Sequence, residues 1–343
     1  MDKQLAKDLI QKMYLGWNLG NTLDAPQGET AWHNPKTTPE MIKKIHELGF
    51  KTLRIPISWH RHVDKDVNIE PEFIERVNEV VDYAYNEGMY VIINIHHDDV
   101  RFQPTRDGFE DGKHYIKRIW EQVAEHFKDY GERLIFEAMN EPRMIRHQYE
   151  WNLNLREPLC LAALDYINEY NQLFVDIVRA SGGFNSERFL MTPSYCASPR
   201  HAFIPAFKIP NDPADKIVIS VHSYSPIELC LMPNPDVREF NDSGEHELDD
   251  ILRRLAKRFT ENGVPVVIGE IGIWDKNNPD ERYKWAKYFV GRAKELGMVC
   301  VWWDNGGREY KILDRKNCEL YDFCEPVIKG LLEGADRSVA LDD

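Results

Sequence analysis

Short apolar runs that end in polar residues alternate with longer amphipathic stretches from one end of this chain to the other, at 14–18, 52–56, 90–94, 134–138, 189–192, 217–221, 266–269 and 299–303. Runs of four or five residues are too short for helices, and the stretches between them carry helical periodicity at 39–48, 71–87, 113–130, 166–181, 247–261 and 281–296, with a last one at 326–332. That order is the signature of an α/β protein with a parallel sheet. Eight strands predict a closed (β/α)8 TIM barrel, and the absence of a linker, repeat or low-complexity segment predicts a single domain over 1–343. Thr38 before Pro39 reads as an N-cap followed by the first helical residue, and Gly49 and Gly88 stand where helices stop. The fifth unit is the least regular, because 195–208 holds two prolines and little periodicity, so a short or broken helix is expected there.

Polar residues gather just after the apolar runs. Phe136-Glu137-Ala138-Met139-Asn140-Glu141-Pro142 puts an amide and a carboxylate at the tip of a buried strand that proline cannot extend. The stretch 264–270 repeats the pattern, an apolar strand and a glycine followed by Glu270. Asn18 and Asn21 follow the first run, Arg54 lies in the second, and His96-His97-Asp98 follow the third. His222 and Tyr224 follow the sixth run, and Trp303-Asp304-Asn305 stand at the eighth. A barrel gathers these on the rim formed by the loops after the strands, and the long connections 98–112, 143–158, 193–213 and 225–246 predict a substrate cleft there.

The formal net charge of −14 argues against nucleic acid, since a phosphate backbone would be repelled, while a neutral substrate is indifferent to that field. No run approaches the ~18 consecutive apolar residues of a membrane span, and Met1-Asp2-Lys3-Gln4 opens a polar helix rather than a secretion signal. Two compartments stay open: the cytoplasm if Met1 is the native start, and the exterior, favoured if a secretion signal has been removed ahead of it. The six cysteines show no metal-type or CxxC spacing and read as buried free thiols.

The motifs carry a resemblance. Gly16-Trp17-Asn18-Leu19-Gly20-Asn21-Thr22-Leu23-Asp24-Ala25, Asn94-Ile95-His96-His97-Asp98, Met139-Asn140-Glu141-Pro142-Arg143, Val221-His222-Ser223-Tyr224, Ile268-Gly269-Glu270 and Trp302-Trp303-Asp304-Asn305-Gly306 resemble, in order, the motifs of glycoside hydrolase family 5, most of all its bacterial endo-β-1,4-glucanase branch. The resemblance implies a (β/α)8 retaining hydrolase of β-glucan polysaccharide or oligosaccharide that needs neither metal nor cofactor, and a monomer is the expected state. It implies Glu141 as acid/base and Glu270 as nucleophile, with Arg54, His96, Asn140, His222, Tyr224 and Trp303 as their supporting set and Asn21 and His97 as further binding residues. A β-mannanase or a xyloglucanase of the same family is the alternative within the class, and a non-catalytic sugar-binding barrel is the alternative outside it.

Chemistry supports the same roles. A retaining glycosidase needs two carboxyl groups roughly 5–5.5 Å apart in unlike environments, one protonated and one ionised. Arg54 and the phenol of Tyr224 would hold Glu270 ionised, Glu141 would be raised by its ionised partner and a partly dry cleft, and Asn140 would meet the sugar 2-hydroxyl. Glu137 lies two strand periods before Glu141 and reads as a buried ion-pair partner rather than a catalytic group. His96-His97-Asp98-Asp99 has ligand-competent side chains but no HExxH-type spacing, and hydroxyl binding fits it better. Of the neighbouring Trp302 and Trp303, one must point into the helix shell; Trp303 is taken as the cleft residue. Trp32, Trp59, Trp151 and Trp274 lie in rim loops, as sugar platforms or as loop packing, and 245–250 reads as a solvated loop and helix start.

Overall fold

The computed structural model describes residues 1–339, in which eight parallel strands pair in sequence order and the last returns to the first, closing a barrel. The strands are β1 (Gly16–Leu19), β2 (Thr52–Ile55), β3 (Tyr90–Asn94), β4 (Leu134–Glu137), β5 (Leu190–Pro193), β6 (Ile217–His222), β7 (Val266–Ile271) and β8 (Met298–Asp304). Each lies within two residues of the predicted run at either end. Almost every strand residue is buried, because one face fills the barrel interior and the other meets the helices.

The helices are α1 (Lys3–Met13), α2 (Pro39–Glu47), α3 (Pro71–Asn86), α4 (Phe109–His126), α5 (Pro158–Ala180), α6 (Pro199–Ala202), α7 (Ile227–Cys230), α8 (Asp242–Arg258), α9 (Pro279–Glu295) and α10 (Glu325–Ala335). The Thr38 hydroxyl accepts from the Met41 N–H at 3.3 Å, the N-cap expected from the sequence. The fifth connection is irregular as expected: a 3-10 turn at Tyr195–Ala197 followed by the four-residue α6. Several helices begin earlier than predicted, α4 by four residues and α5 and α8 by more. Pro158 starts α5 as its first residue, and α8 starts after Asn241, whose side chain accepts from the Gly244 N–H at 3.2 Å, so the acidic run 245–250 lies inside the helix.

Helix α1 precedes the barrel and closes its lower end. Its Leu9, Ile10 and Met13 pack on a cluster of interior strand residues that includes Ile92, Ile135, Met191, Val218, Val267 and Val299, while Lys294 Nζ donates to the Ile10 carbonyl at 3.0 Å. After β8 the chain makes a small antiparallel ribbon, β9 (Leu313–Asp314) with β10 (Glu319–Leu320), not foreseen from the sequence. The ribbon brings Arg315 onto Asp304 at 3.0 Å and onto the Gly20 carbonyl at 2.8 Å, which ties the end of β8 to the loop after β1.

Candidate active site

The upper rim gathers the polar strand ends around Arg54. Its side chain is fully buried on β2, and its N–H groups reach side chains of other strands and of the segment after β4. Nε donates to Glu137 at 2.8 Å, Nη1 to Asn18 at 2.9 Å and to Glu270 at 3.0 Å, and Nη2 to the Asn140 carbonyl oxygen at 2.8 Å. Glu137 is wholly buried, and it also accepts from Asn94 at 2.9 Å and from the Ser220 hydroxyl. The cation thus sits between two carboxylates. Such a network holds in a dry interior only because each charge finds an opposite one and the remaining lone pairs find donors.

Glu270 is placed by an irregularity in the ladder. Val221 pairs with Ile268 but His222 pairs with Glu270, so Gly269 is skipped, and its carbonyl accepts from Asn18 Nδ2 at 2.8 Å. With one oxygen on Arg54, Glu270 takes the Tyr224 hydroxyl on the other at 2.9 Å. Together the two bonds fix its plane. Burial and the Glu270 carboxylate beside it push the Tyr224 phenol well above its usual range, so it stays a donor.

Glu141 follows β4 on a segment pinned to both neighbours, with the Ala138 N–H donating to Met191 and the Asn140 N–H to Ile95 at 2.9 and 2.8 Å. Its carboxylate is partly exposed and meets His222 Nδ1 at 2.9 Å. Oxygens of Glu141 and Glu270 and a ring nitrogen of His222 all lie within 4.8 Å of one another. The protonation expected for Glu141 is corrected here. Burial pushes it up, but the hydrogen bond and charge of His222, with the charges of Arg143 and His97, more than offset this and leave it below the ordinary carboxyl value. For His222 burial works downward, and the carboxylates of Glu270 and Glu141 outweigh it, so the imidazole is raised.

Of the other residues singled out in the sequence, Asn140 gives its carbonyl oxygen to Arg54, which orients its amide N–H2 group as the donor left over. His96 is buried, and Asn94 lies 3.2 Å from its Nδ1. Desolvation first, then the neighbouring cationic groups, drive its pKa well down, so it is a neutral donor through Nε2. Its ring lies parallel to the half-buried Trp303, centroids 5.9 Å apart, across the rim from Glu141. His97 is half-buried between Trp32 and Asp24, and Asn21 sits at a left-handed turn (φ 56°) with its N–H on Asp24 at 3.0 Å. Neither touches Glu141 or Glu270 through a hydrogen bond.

Trp302 is fully buried and Trp303 is half-exposed, as strand alternation requires. Trp59 is core, not rim: its indole N–H donates to the Asn94 carbonyl at 2.9 Å and it is 1% exposed. Asp98 is likewise structural, accepting from the Trp59 N–H and the Tyr115 hydroxyl at 2.9 and 2.7 Å. Among the described residues, two groups of side chains come close enough to share a cation, Asp24 with His96 and His97, and Glu141 with His222 and Glu270. In both, protein groups already take the lone pairs: backbone N–H groups on Asp24, Arg54 and Tyr224 on Glu270, His222 on Glu141. The donors read as a hydrogen-bonded network rather than a cage for an ion.

Arg143 and Asn94 were not among the site residues expected from the sequence. Asn94 stands inside an apolar strand, where its polarity was the available signal; Arg143 had only its place beside Glu141.

Residues 18–309 match the family model for cellulases, glycosyl hydrolase family 5. Endoglucanase A of Ruminococcus albus is 40% identical over 346 residues, covering 96% of this chain and 93% of that protein. Among solved structures, a point mutant of a glycoside hydrolase 5 lichenase from Caldicellulosiruptor sp. F32, in complex with cellotetraose, superposes with a TM-score of 0.92 at 40% identity, over 96% of this chain and 95% of that one. A broad specificity endoglucanase from Clostridium acetobutylicum gives 0.89 at 37% identity, over 95% and 99%. With a closed (β/α)8 barrel, two facing glutamates at the strand ends and a family match over most of its length, the chain belongs to glycosyl hydrolase family 5, the cellulases.

Proposed function

We propose that the chain is a retaining endo-β-1,4-glucanase in which Glu270 attacks the anomeric carbon and Glu141 serves as acid and then base. The observation that carries this reading is the separation of the two carboxylates, within 4.8 Å oxygen to oxygen. Inverting enzymes hold the pair roughly 6.5–9.5 Å apart to admit a water, and retaining ones at about 5–5.5 Å. Glu270, oriented by Arg54 and Tyr224, is the better-defined of the two, as a nucleophile must be.

The contact between His222 and Glu141 fits a double displacement. When a glucan covers the cleft and removes water from the His222–Glu141 pair, the neutral form of the pair gains over the ion pair, and the proton moves onto Glu141. Glu141 then donates it to the leaving glycosidic oxygen as the C–O bond breaks and Glu270 bonds to the anomeric carbon. In the second half, Glu141 takes a proton from water, whose oxygen displaces Glu270 and restores the β configuration. The free amide N–H2 of Asn140 is placed for the sugar 2-hydroxyl, and Trp303 with neutral His96 lines the wall against which the sugar at the cleavage point rests.

Cellulose-type and mixed-linkage β-glucans are the substrates that fit best; the likeness to a lichenase and to a broad specificity endoglucanase supports the second. The test is reducing-sugar release from carboxymethylcellulose, barley β-glucan, xyloglucan and mannan in parallel, with product configuration followed by NMR. Turnover of the two glucans with β products supports the reading. An α product refutes retention, and mannan as the preferred substrate refutes the substrate class.

A further inference from the structure

Arg143 links four groups that the reaction scheme above leaves unconnected. Its Nη1 donates to the Glu141 carbonyl at 2.9 Å and lies 3.7 Å from the Glu141 carboxylate, its Nε reaches Glu150 at 3.3 Å, and Nη1 also meets Asp99 at 3.3 Å. The guanidinium carbon stands 4.4 Å over the centroid of Trp151. Trp151 is 54% exposed, so Arg143 covers one face of the indole while the rest faces solvent. An indole held against a fixed cation on one side is rigid without being buried, which is what a platform for the apolar face of a glucosyl ring requires.

Its position says which sugar it would meet. Trp303 stands on β8 and Glu141 after β4, on opposite sides of the eight-strand ring. A sugar bound by Trp303 leaves its linkage at Glu141, and the next residue of the chain continues toward the connection after β4, where Trp151 lies. We propose that Arg143 is a positioning residue that joins Glu141 to an aglycone-side sugar platform made by Trp151. The inference rests on the assignment of Glu141 as the acid.

The electrostatic part depends on every charge near the pair. Glu141 faces His222 from β6, Glu270 from β7, His97 from the loop after β3, and Arg143 itself. Arg143 faces Asp99, Glu150 and the thiol of Cys196 besides Glu141. Asp99 is almost wholly buried, and one of its oxygens has no partner, so of its two oxygens only one engages Arg143. In this set His222, Arg143 and His97 hold Glu141 down, and of the three Arg143 is the one whose guanidinium also lies over Trp151.

The test uses the whole enzyme and two readouts. Carbon-13 NMR of the Glu141 carboxyl, assigned with Glu141→Gln, gives its titration in the wild type, Arg143→Gln and Arg143→Lys. Arg143→Gln moves the Glu141 titration to higher pH, and Arg143→Lys, which keeps the charge, returns it toward the wild type. Calorimetric titration of the Glu270→Gln background with cellohexaose then reads the platform: Trp151→Ala weakens binding several-fold, and leaves binding of cellobiose, too short to reach across the cleavage point, unchanged. An unmoved Glu141 titration in Arg143→Gln, or equal losses for the long and the short sugar in Trp151→Ala, overturns the proposal. Neither readout needs turnover. A wild type that hydrolyses no glucan counts against the proposed function, while the NMR titration still judges Arg143.

Discussion

Removing Arg54 exposes how the site is held together. Arg54→Met leaves a side chain of similar length but strands two buried carboxylates, Glu137 at 0% exposure and Glu270 at 6%, without the cation between them. Removing one partner of a buried pair costs about 3–5 kcal/mol, because the remaining charge is left uncompensated. For 343 residues, at about 2.1 cal/mol/K of unfolding entropy per residue, that is a fall in Tm of about 4–7 °C. Glu137→Gln in the same chain removes the more deeply buried charge, and the double variant recovers part of the lost stability. Activity behaves differently. Glu270 loses its charged hydrogen bond in both the single and the double variant, a loss of about 1.5–3 kcal/mol in orienting energy, or roughly a 10- to 150-fold drop in kcat/KM. Thermal unfolding by calorimetry, alongside hydrolysis of barley β-glucan, reads both quantities. A double variant no more stable than Arg54→Met, or one that regains activity along with stability, would refute the view of Arg54 as a cation serving two carboxylates for two separate ends.

Further expectations concern the carboxylates themselves. Glu270→Gln abolishes hydrolysis on every glucan, and near-normal turnover in a reducing-sugar assay would exclude Glu270 as nucleophile. Glu141→Ala loses far more activity on polysaccharide than on an aryl cellobioside whose leaving group needs little protonation, and equal losses would count against its acid role. Tyr224→Phe, which deletes the 2.9 Å bond to Glu270, lowers kcat about 10- to 100-fold with KM little changed; a pure KM effect would contradict an orienting role. Asp99 is raised by burial from 3.8 to about 7, so the native state holds a proton there that the unfolded chain has lost, and stability falls as pH rises from about 4 to 7. Asp99→Asn removes this dependence. Its Tm relative to the wild type should improve between pH 5 and pH 8, and an unchanged difference would show that Asp99 does not titrate in that window.

The barrel was legible because its strands announce themselves locally: a parallel strand covered on both faces reads as an unbroken apolar run, and all eight fell within two residues of their predicted bounds. Glu141 and Glu270 were legible for the same reason, since polar residues at the ends of such runs have only the rim to occupy. Helix starts were less so. Asn241 caps α8 through a side chain that competes with turn-forming conformations, and nothing local ranks it above the acidic residues that follow. Trp59 shows the limit for single aromatics, because whether an indole in a loop is core depends on a distant acceptor, here the Asn94 carbonyl. The same applies to the lowered Glu141: its cause is His222, 81 residues away in the chain, at a distance no spacing rule supplies. The ribbon of β9 and β10 escaped because two-residue strands leave no periodicity.

Helix α1 seals the end of the barrel opposite the glutamates, with Leu9, Ile10 and Met13 set against the interior layer. The molecule therefore answers to two sets of residues that do not overlap. Changes at this stopper alter how long the barrel survives heat or denaturant, and changes at the rim alter what is cut and how fast. Variants that fill or tighten the α1 contact are thus a route to a hardier enzyme whose choice of glucan stays the same.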